Sequence, residues 1–349
     1  MKLFAKKTKA VIGIDIGTHS IKLVELAGTK ANPQVVAWAV APLAVGAFSE
    51  NAIANAELVA DAVNEAIIKS GTKAEIASVA VSSSHAITKV LGMPSGISDV
   101  ELEEQVNIEA LHFIPYPIDE VNLDFEIIGK SDANDDEDDV LLVACRRSIV
   151  DDYIDLIEGM GMTLGCVDID TYALERAYRA QSALASNSDQ PVALFDIGSS
   201  SSHLMVLDGS NVLYSRHQSF GGAQLIKLIR KEYGLSADDA EEVLVSSQPP
   251  SDFLTAVQEP YVEMLRQEVS RALQFFYSSS SYSNIDSVVL AGAPCSLAGL
   301  SGDLEVKLRT KVAVLNPVVN ADVKSRRELI ADVAPALSVA YGLSLRGLK

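Results

Sequence analysis

The sequence contains little cysteine or histidine: three cysteines and five histidines in 349 residues. No C-x-x-C pair and no H-E-x-x-H motif occurs among them, so neither a structural zinc site nor a zinc hydrolase is predicted. Cys145, Cys166 and Cys295 lie in apolar stretches at irregular spacing, which is typical of reduced core thiols in a cytosolic protein. We expect all three to be free and none to be catalytic.

Positive charge is scarce as well. The chain has 28 Lys and Arg against 47 Asp and Glu, which gives a formal net charge of −19. Proteins that bind nucleic acid neutralise phosphates with clustered basic residues, and no such stripe is present, so no nucleic-acid partner is expected. The basic cluster formed by Lys2, Lys6, Lys7 and Lys9 could touch an anionic membrane surface, but a solvated terminus explains it more simply.

A secretory signal is also missing, because a charged segment occupies the place of the apolar core that such a signal needs. The uncharged residues 31–49 are about long enough to cross a bilayer. They include Asn32, Pro33 and Pro42, which favours a buried strand and a loop instead. These features predict a cytoplasmic protein.

One unusual segment occurs twice. Residues 11–26 read VIGIDIGTHSIKLVEL and residues 192–207 read VALFDIGSSSSHLMVL, each with Asp-Ile-Gly inside an apolar run and small hydroxyl residues after it. A chain of this length is large enough for two cores. Strand-like and helix-like patterns alternate after each copy, so the repetition predicts two similar α/β halves.

The repeated turn has a chemical use. A strand that ends in Asp-x-Gly and turns back through Ser or Thr exposes successive backbone N–H groups, which can bind an anion. Gly17 and Gly198 allow the anion to approach closely. One such turn alone would be an ordinary hairpin, but two facing turns could grip a polyphosphate. Asp15 and Asp196 would then hold Mg²⁺, largely through its water ligands.

A third glycine turn follows the apolar strand that ends at Leu290. Together the three turns resemble the phosphate-1, phosphate-2 and adenosine motifs of the actin, Hsp70 and sugar-kinase superfamily, whose duplicated α/β domains are of the ribonuclease-H-like type. The resemblance implies ATP and Mg²⁺ as ligands. In place of the family's paired glycines, Gly292 is followed by Ala293 and Pro294, which leaves less room beside the adenine.

The same resemblance implies a set of nucleotide-binding residues. These are Asp15, Gly17, Thr18, His19, Ser20 and Lys22 in the first motif; Asp196, Gly198, Ser199, Ser200 and Ser201 in the second; Gly292, Ala293 and Pro294 in the third; and Gly221, Gly222, Gln224 and Lys227 on a helix beside the nucleotide.

Longer segments are similar to the PilM family of type IV pilus assembly proteins, relatives of the cell-division protein FtsA. They include FIPYPIDEVNLDFEIIG, VDIDTYALERAY, SFGGAQL and APALSVAYGLSLR. The resemblance implies an FtsA-type inserted subdomain, in which Ser98 and Glu101 predict a capping box at a helix start. The expected domains are a first half at 1–84 and 167–190, the insertion at 85–166 and a second half at 191–349.

The PilM resemblance implies a cytoplasmic ATP-binding protein, peripheral to the inner membrane, that recruits the cytoplasmic N-terminal segment of the inner-membrane protein PilN. It would link the pilus machine across that membrane and contact other pilus-machine proteins, with slow ATP hydrolysis at most. The alternative is an FtsA-like or other actin-like ATPase with genuine turnover. Asp170 is the candidate catalytic residue, although an acid at this position is also a common helix N-cap. A sugar or acetate kinase would need a polar acceptor site, for which the sequence has no motif.

Overall fold

A computed structural model describes most of the chain. The described residues are 10–49, 52–131, 134–182, 190–209, 211–246 and 248–348. The basic cluster of Lys2, Lys6, Lys7 and Lys9 lies outside the described residues.

The first α/β layer starts with apolar strands, of which β1 is buried along nearly its whole length. Its first elements are β1 (Val11–Ile16), β2 (Ser20–Thr29), β3 (Asn32–Pro42), β4 (Phe48–Ser49), β5 (Ala52–Ile53), α1 (Ala56–Ser70) and β6 (Ile76–Val81). Helix α1 begins after Asn55, whose side chain accepts a hydrogen bond from the N–H of Leu58, and it ends at the left-handed Gly71. Its buried residues recur at helical spacing, so one face of α1 packs on the core of this layer.

The predicted insertion contains a small sheet. Its elements are β7 (Ala86–Pro94), α2 (Asp99–Ala110), β8 (Val121–Lys130) and β9 (Glu137–Arg146). The strands pair antiparallel in the order β7-β9-β8, and α2 packs on this sheet through residues such as Val106 and Leu142. The predicted capping box is confirmed, because Ser98 and Glu101 each accept a hydrogen bond from the other's backbone N–H.

After the insertion the chain returns to the first layer. The next elements are α3 (Arg147–Gly159), β10 (Thr163–Ile169) and α4 (Asp170–Ser182). Strand β10 pairs in parallel with β6, and α3 packs into the same core as β1 through Tyr153, Leu156 and Ile157. Helix α3 and the start of β10 fall inside the predicted range 85–166 but pack in the core and sheet of the first layer.

The second layer follows. Its elements are β11 (Val192–Ile197), β12 (Ser202–Asp208), β13 (Asn211–Gln218), α5 (Gly222–Tyr233), α6 (Ala237–Val245), α7 (Glu259–Ser279), β14 (Ser287–Ala291), α8 (Leu300–Leu308) and β15 (Lys311–Val314). The strand order is β13-β12-β11-β14-β15, and the first sheet contains the matching series β3-β2-β1-β6-β10. In both series the hairpin strands are antiparallel and the last two strands are parallel to the first. The predicted duplication of an α/β layer is confirmed.

The C-terminal segment crosses back to the first layer. Its elements are β16 (Asp322–Val323), α9 (Arg327–Val333) and α10 (Ser338–Ser344). Strand β16 pairs with β3, and α10 lies between β1 and α4, where a Cβ atom on Gly342 would fall 1.8 Å from the carbonyl oxygen of Ala173. The helical stretch Arg327–Gly347 is apolar and long enough to span a membrane, but most of it is buried in the protein.

Asp168 secures this C-terminal packing. Its Oδ2 atom lies 3.0 Å from Arg176 Nη1 on α4 and 2.6 Å from Arg346 Nε beyond α10. Arg176 also donates to the carbonyl oxygen of Gly342. The predicted domain boundaries at residues 84, 166 and 190 stay predictions. The residues from β16 onward pack on the first sheet although they follow the second in sequence.

Candidate functional site

The two repeated turns have the same geometry. Gly17 N–H donates to the carbonyl oxygen of Ser20 at 3.2 Å between β1 and β2, and Gly198 N–H donates to that of Ser201 at 2.9 Å between β11 and β12. Asp15 and Asp196 each lie two residues before the glycine, at equivalent places on the central strands of the two sheets. Each sheet therefore carries an Asp-x-Gly turn at the same end of its central strand.

Both turns leave backbone donors free for a ligand. In the described part of the chain, the N–H groups of Thr18, His19, Ser199 and Ser200 make no hydrogen bond to the protein backbone. These four residues are half-buried or exposed. Successive N–H groups in such turns form an anion-binding concavity, so the geometry suits two phosphate groups.

Lys22 adds a positive charge to the first turn. A Cβ atom on Gly17 would lie 2.7 Å from Lys22 Nζ, which means that the ammonium group sits directly over the turn. The same Nζ atom lies 3.3 Å from Asp15 Oδ2. Ser20 lies at the start of β2, where its carbonyl closes the turn.

Helix α5 begins against the second turn. The N–H groups of Gly222 and Ala223 donate to the carbonyl oxygens of Gly198 and Ser199 at 2.9 and 2.8 Å. A Cβ on Gly221 would lie 2.4 Å from the Ser199 oxygen, so this close approach requires glycine. The positive end of the α5 dipole therefore lies beside the phosphate-2 turn.

The third turn packs against the second turn and the start of α5. Gly292 has φ +98°, and a Cβ there would lie 2.1 Å from the carbonyl oxygen of Ile197. Pro294 packs against Gly222. Ala293, which lies between Gly292 and Pro294 in the sequence, is exposed. The structure thus brings together the second and third predicted motifs and the start of α5. On α5 itself, the Gln224 side chain accepts from Gly221 N–H, while Lys227 is exposed one turn further along.

Asp15, Asp170 and Asp196 lie close enough together for their charges to interact; the space between the two layers around these three carboxylates is the cleft. Burial and the neighbouring charges of Asp170 and Asp15 raise the pKa of Asp196 to about 7, although Lys22 opposes this shift. Burial and Asp15 likewise raise the pKa of Asp170 to about 6, against the hydrogen bonds that Asp170 accepts. Like charges held close together disfavour full ionisation. A bound divalent cation would relieve this repulsion.

Few protein ligands are available for such a cation. Among the described residues, no group of three or more His, Cys, Asp and Glu side chains is arranged to hold a metal ion. Mg²⁺ commonly keeps several waters and takes one or two carboxylates together with phosphate oxygens. Asp15 and Asp196 fit this second type of site and not a closed protein cage.

Comparison with known proteins identifies the family. The family model for the type IV pilus assembly protein PilM matches residues 13–348. The chain belongs to the PilM family. Its fold is accordingly the actin-like ATPase fold, and it takes part in type IV pilus assembly.

Solved structures agree with this assignment to the PilM family. A structure described as the PilM-PilN type IV pilus biogenesis complex superposes with a TM-score of 0.81 at 27% identity, over 97% of this chain and 98% of that chain. The ethanolamine utilization protein EutJ from Carboxydothermus hydrogenoformans gives a TM-score of 0.58 at 15% identity, over 98% and 90% of the two chains. The second similarity concerns the fold alone.

In this PilM-family chain, Asp170 is held from two sides. Its Oδ1 atom accepts hydrogen bonds from the N–H groups of Ser83 at 2.9 Å and Thr171 at 2.7 Å. Thr171 directly follows Asp170, whereas Ser83 follows β6, far away in sequence. Asp170 is the first residue of α4, and neither bond is the N-cap contact to an N–H two or three residues further on. Asp170 also lies close enough to Asp15 for the two charges to interact.

Ser83 and His203 also line the PilM-family cleft. The place of His203 in the strand after the second turn indicates either a position near the γ-phosphate or, more simply, a partly buried strand histidine, whereas Ser83 belongs to no recognisable motif. Ser83 Oγ lies 3.3 Å from His203 Nδ1, and His203 Nε2 lies 2.6 Å from Ser215 Oγ. Burial and the nearby His217 lower the pKa of His203 to about 4, so its imidazole is neutral at pH 7. His203 directly faces Asp196 across the β11–β12 pair. Sequence analysis missed the link between Ser83 and His203 because they are 120 residues apart.

All three cysteines are free, as predicted. Burial raises the pKa of Cys145 and of Cys295, which disfavours the reactive thiolate. Cys295 instead donates to the carbonyl oxygen of Ala291 beside the third turn. In this position its thiol supports the packing of the PilM-family cleft.

Proposed function

We propose that the cleft binds ATP with Mg²⁺ and that the protein recruits the cytoplasmic N-terminal segment of PilN at its insertion. It would thereby link the pilus machine across the inner membrane, as a cytoplasmic protein held at that membrane through its partner. The observation that carries the nucleotide part is the pair of equivalent turns with free N–H groups, each preceded by an aspartate.

The roles of the site residues follow from this geometry. The N–H groups of the first turn, together with Lys22, would bind the terminal phosphates. The N–H groups of the second turn, beside the start of α5, would bind the polyphosphate from its opposite side. Mg²⁺ would supply charge neutralisation between phosphate oxygens and the two aspartates. Gly292, Ala293 and Pro294 would lie along the nucleoside.

Hydrolysis is proposed to be slow at most. The pKa of Asp170, near 6, would suit a general base. However, both N–H donors engage the same oxygen of Asp170, which fixes the group as part of the α4 start. Only its second oxygen would be able to orient a water molecule. We therefore propose that ATP acts chiefly as a ligand that sets the conformation.

Removing the ammonium group over the first turn tests nucleotide binding. Lys22→Ala should weaken Mg²⁺–ATP binding by about tenfold or more, because a charge-assisted contact to phosphate contributes roughly 1.5–3 kcal/mol. Isothermal titration calorimetry measures this directly. Lys69→Ala is the matched control, since Lys69 is exposed on α1 and, within the described ranges, pairs only with Glu65. If Lys22→Ala bound ATP as tightly as the parent, the first turn would not be a phosphate site.

The proposed PilN site is the junction between the insertion and the first layer. Thr88 on β7 interacts with the Tyr172 hydroxyl on α4, and Arg346 lies close enough to Glu126 on β8 to feel its charge. These contacts place one face of the β7-β9-β8 sheet towards α4 and the C-terminus. On that face Val90 is 47% exposed and Leu141, its partner on β9, is half-buried.

Such a junction suits an extended peptide. Strands β7 and β8 are the edges of their sheet and β10 is an edge of the first sheet, so a partner strand could pair with free backbone groups while apolar side chains enter pockets. The structural match to a PilM-PilN complex and the exposed apolar side chain of Val90 support PilN as the occupant.

A charge placed in the junction should weaken peptide binding. Val90→Asp is expected to reduce affinity for a fluorescently labelled peptide of the PilN cytoplasmic N-terminus by about tenfold or more, because it puts a carboxylate where apolar contact is needed. Val306→Asp on α8, where Val306 is 78% exposed in the second layer, should leave affinity unchanged. Fluorescence anisotropy compares the two. Equal binding by both variants and the parent would exclude the junction.

A further inference from the structure

A side-chain contact crosses the mouth of the cleft, where the first turn faces α6. His19, at the tip of the first turn, places its Nε2 atom 3.2 Å from Oε1 of Glu241 on α6. The two side chains are 50% and 41% exposed. Within the described residues, this is the only ion pair between the first layer up to residue 182 and the second layer from residue 190 to 315.

At the opposite side of the cleft, called its floor, the two layers contact each other more extensively than at the mouth. A shared apolar core joins the two layers there, with Ala80 and Leu174 from the first packed among Leu194, Met205 and Ala291 of the second. The contact between Ser83 and His203 also lies at the floor. Separating the two layers at the floor would expose this apolar core. Separating them at the mouth would break the half-exposed contact between His19 and Glu241.

We infer that Glu241 is a positioning residue that latches the cleft: it holds His19, and with it the first phosphate turn, against the second layer, and so slows the release of a bound nucleotide. This inference rests on the proposed nucleotide function. The contact needs only an N–H on Nε2, which a neutral imidazole can provide as well as a charged one.

The latch makes binding and closure depend on each other. A phosphate bound by the N–H groups of Thr18 and His19 would fix the first turn in the position that lets His19 reach Glu241. By linkage, the free energy by which a bound phosphate stabilises the His19–Glu241 contact equals the free energy by which this contact stabilises the bound phosphate. The effect on release should be modest, because half-exposed ion pairs are weak.

The test uses the full chain loaded with N-methylanthraniloyl-ADP and Mg²⁺, with release followed by stopped-flow fluorescence after excess ATP is added. Glu241→Ala should release the nucleotide about threefold faster than the parent. Glu241→Gln should restore much of the parental rate, because the amide oxygen still accepts from Nε2–H. Glu242→Ala, which alters the adjacent exposed carboxylate on the same helix, should leave the rate unchanged.

A double variant shows whether the two residues act as a pair. His19→Ala combined with Glu241→Ala should release no faster than the faster single variant, since each change breaks the same contact. Independent, multiplicative effects would overturn the latch. So would an equal acceleration by Glu242→Ala, or a parental rate in Glu241→Ala.

Hydrogen exchange separates failure of the latch from failure of the nucleotide function. In the free protein, Glu241→Ala should speed exchange of the Gly17 and Leu43 amides, which donate to the carbonyl oxygens of Ser20 and His19, and leave exchange of the Gly198 amide unchanged. If the parent bound no nucleotide, the proposed function would fail, and this exchange pattern would still decide the latch. Unchanged exchange of the Gly17 and Leu43 amides would overturn it.

Discussion

Gly342→Ala is expected to destabilise the protein by about 4 kcal/mol, a large part of the total stability of an ordinary domain. The new Cβ would lie 1.8 Å from the carbonyl oxygen of Ala173 and 2.6 Å from its carbonyl carbon. Both are backbone atoms of α4, so no side chain can rotate away. On the opposite side α10 is equally tight, because a Cβ on Gly13 would lie 2.0 Å from the Ala340 oxygen.

Thermal and urea unfolding measure this loss. Gly302→Ala is the control: Gly302 lies within α8, and a Cβ there would meet no atom within 4 Å. Alanine at that position should be neutral or stabilise by about 0.5–1 kcal/mol, since glycine is unfavourable inside helices. A Gly342→Ala protein that unfolds together with the parent would mean that α10 can move away from α4 at little cost.

Asp196→Asn is expected to make the nucleotide-free protein more stable and to abolish Mg²⁺–ATP binding. Burial and the charges of Asp170 and Asp15 raise the pKa of Asp196 from 3.8 to about 7. A rise of roughly three pKa units is linked to about 4 kcal/mol when the group is forced to ionise. Because the asparagine amide must itself be accommodated in the site, we expect a net gain of about 2 kcal/mol at pH 8.

The gain should depend on pH in a defined direction. In the unfolded chain Asp196 loses its proton near pH 4, whereas the folded protein retains it until about pH 7. Between these values the unfolded state binds fewer protons, so the parent loses stability from this group as the pH rises. The advantage of Asp196→Asn should therefore grow between about pH 4 and pH 7 and level off above that range.

Melting temperatures across this range, with calorimetry for ATP, test both parts of the Asp196→Asn prediction. Asp61→Asn, an exposed position on α1, controls for the loss of one negative charge. A variant that is no more stable than the parent at pH 8 would show that the three carboxylates do not strain the cleft. ATP binding that persists in Asp196→Asn would remove Asp196 from the metal site.

The sequence predicts the parts of the site that depend on near neighbours in the chain. The Asp-x-Gly turns each close within four residues, and the capping box of Ser98 and Glu101 also spans four. Their chemistry can be inferred locally because the donors, acceptors and glycines that form each turn are adjacent. The duplication could be inferred for the same reason, since each copy repeats a local pattern.

Contacts between distant segments could not be inferred in this way. Ser83 reaches Asp170 across 87 residues, and His19 reaches Glu241 on a helix of the other layer. Nothing in the composition of either segment specifies the other. The glycine inside β1 was a partial signal, because a glycine in a strand often marks a close backbone approach. The partner of Gly13, however, is known only once α10 is placed.

The return of the C-terminal segment to the first sheet affects how the protein can fold as it is synthesised. Val24, Leu26 and Trp38 in β2 and β3 are buried by Ile330, Leu337 and Tyr341, which are synthesised only after the whole second layer. Domains usually fold as units, the N-terminal one first, but here the first layer lacks one side of its core until the second layer and the segment after it have been synthesised. Nascent or truncated chains would therefore expose this apolar surface, so their solubility before release would depend on chaperones that bind it.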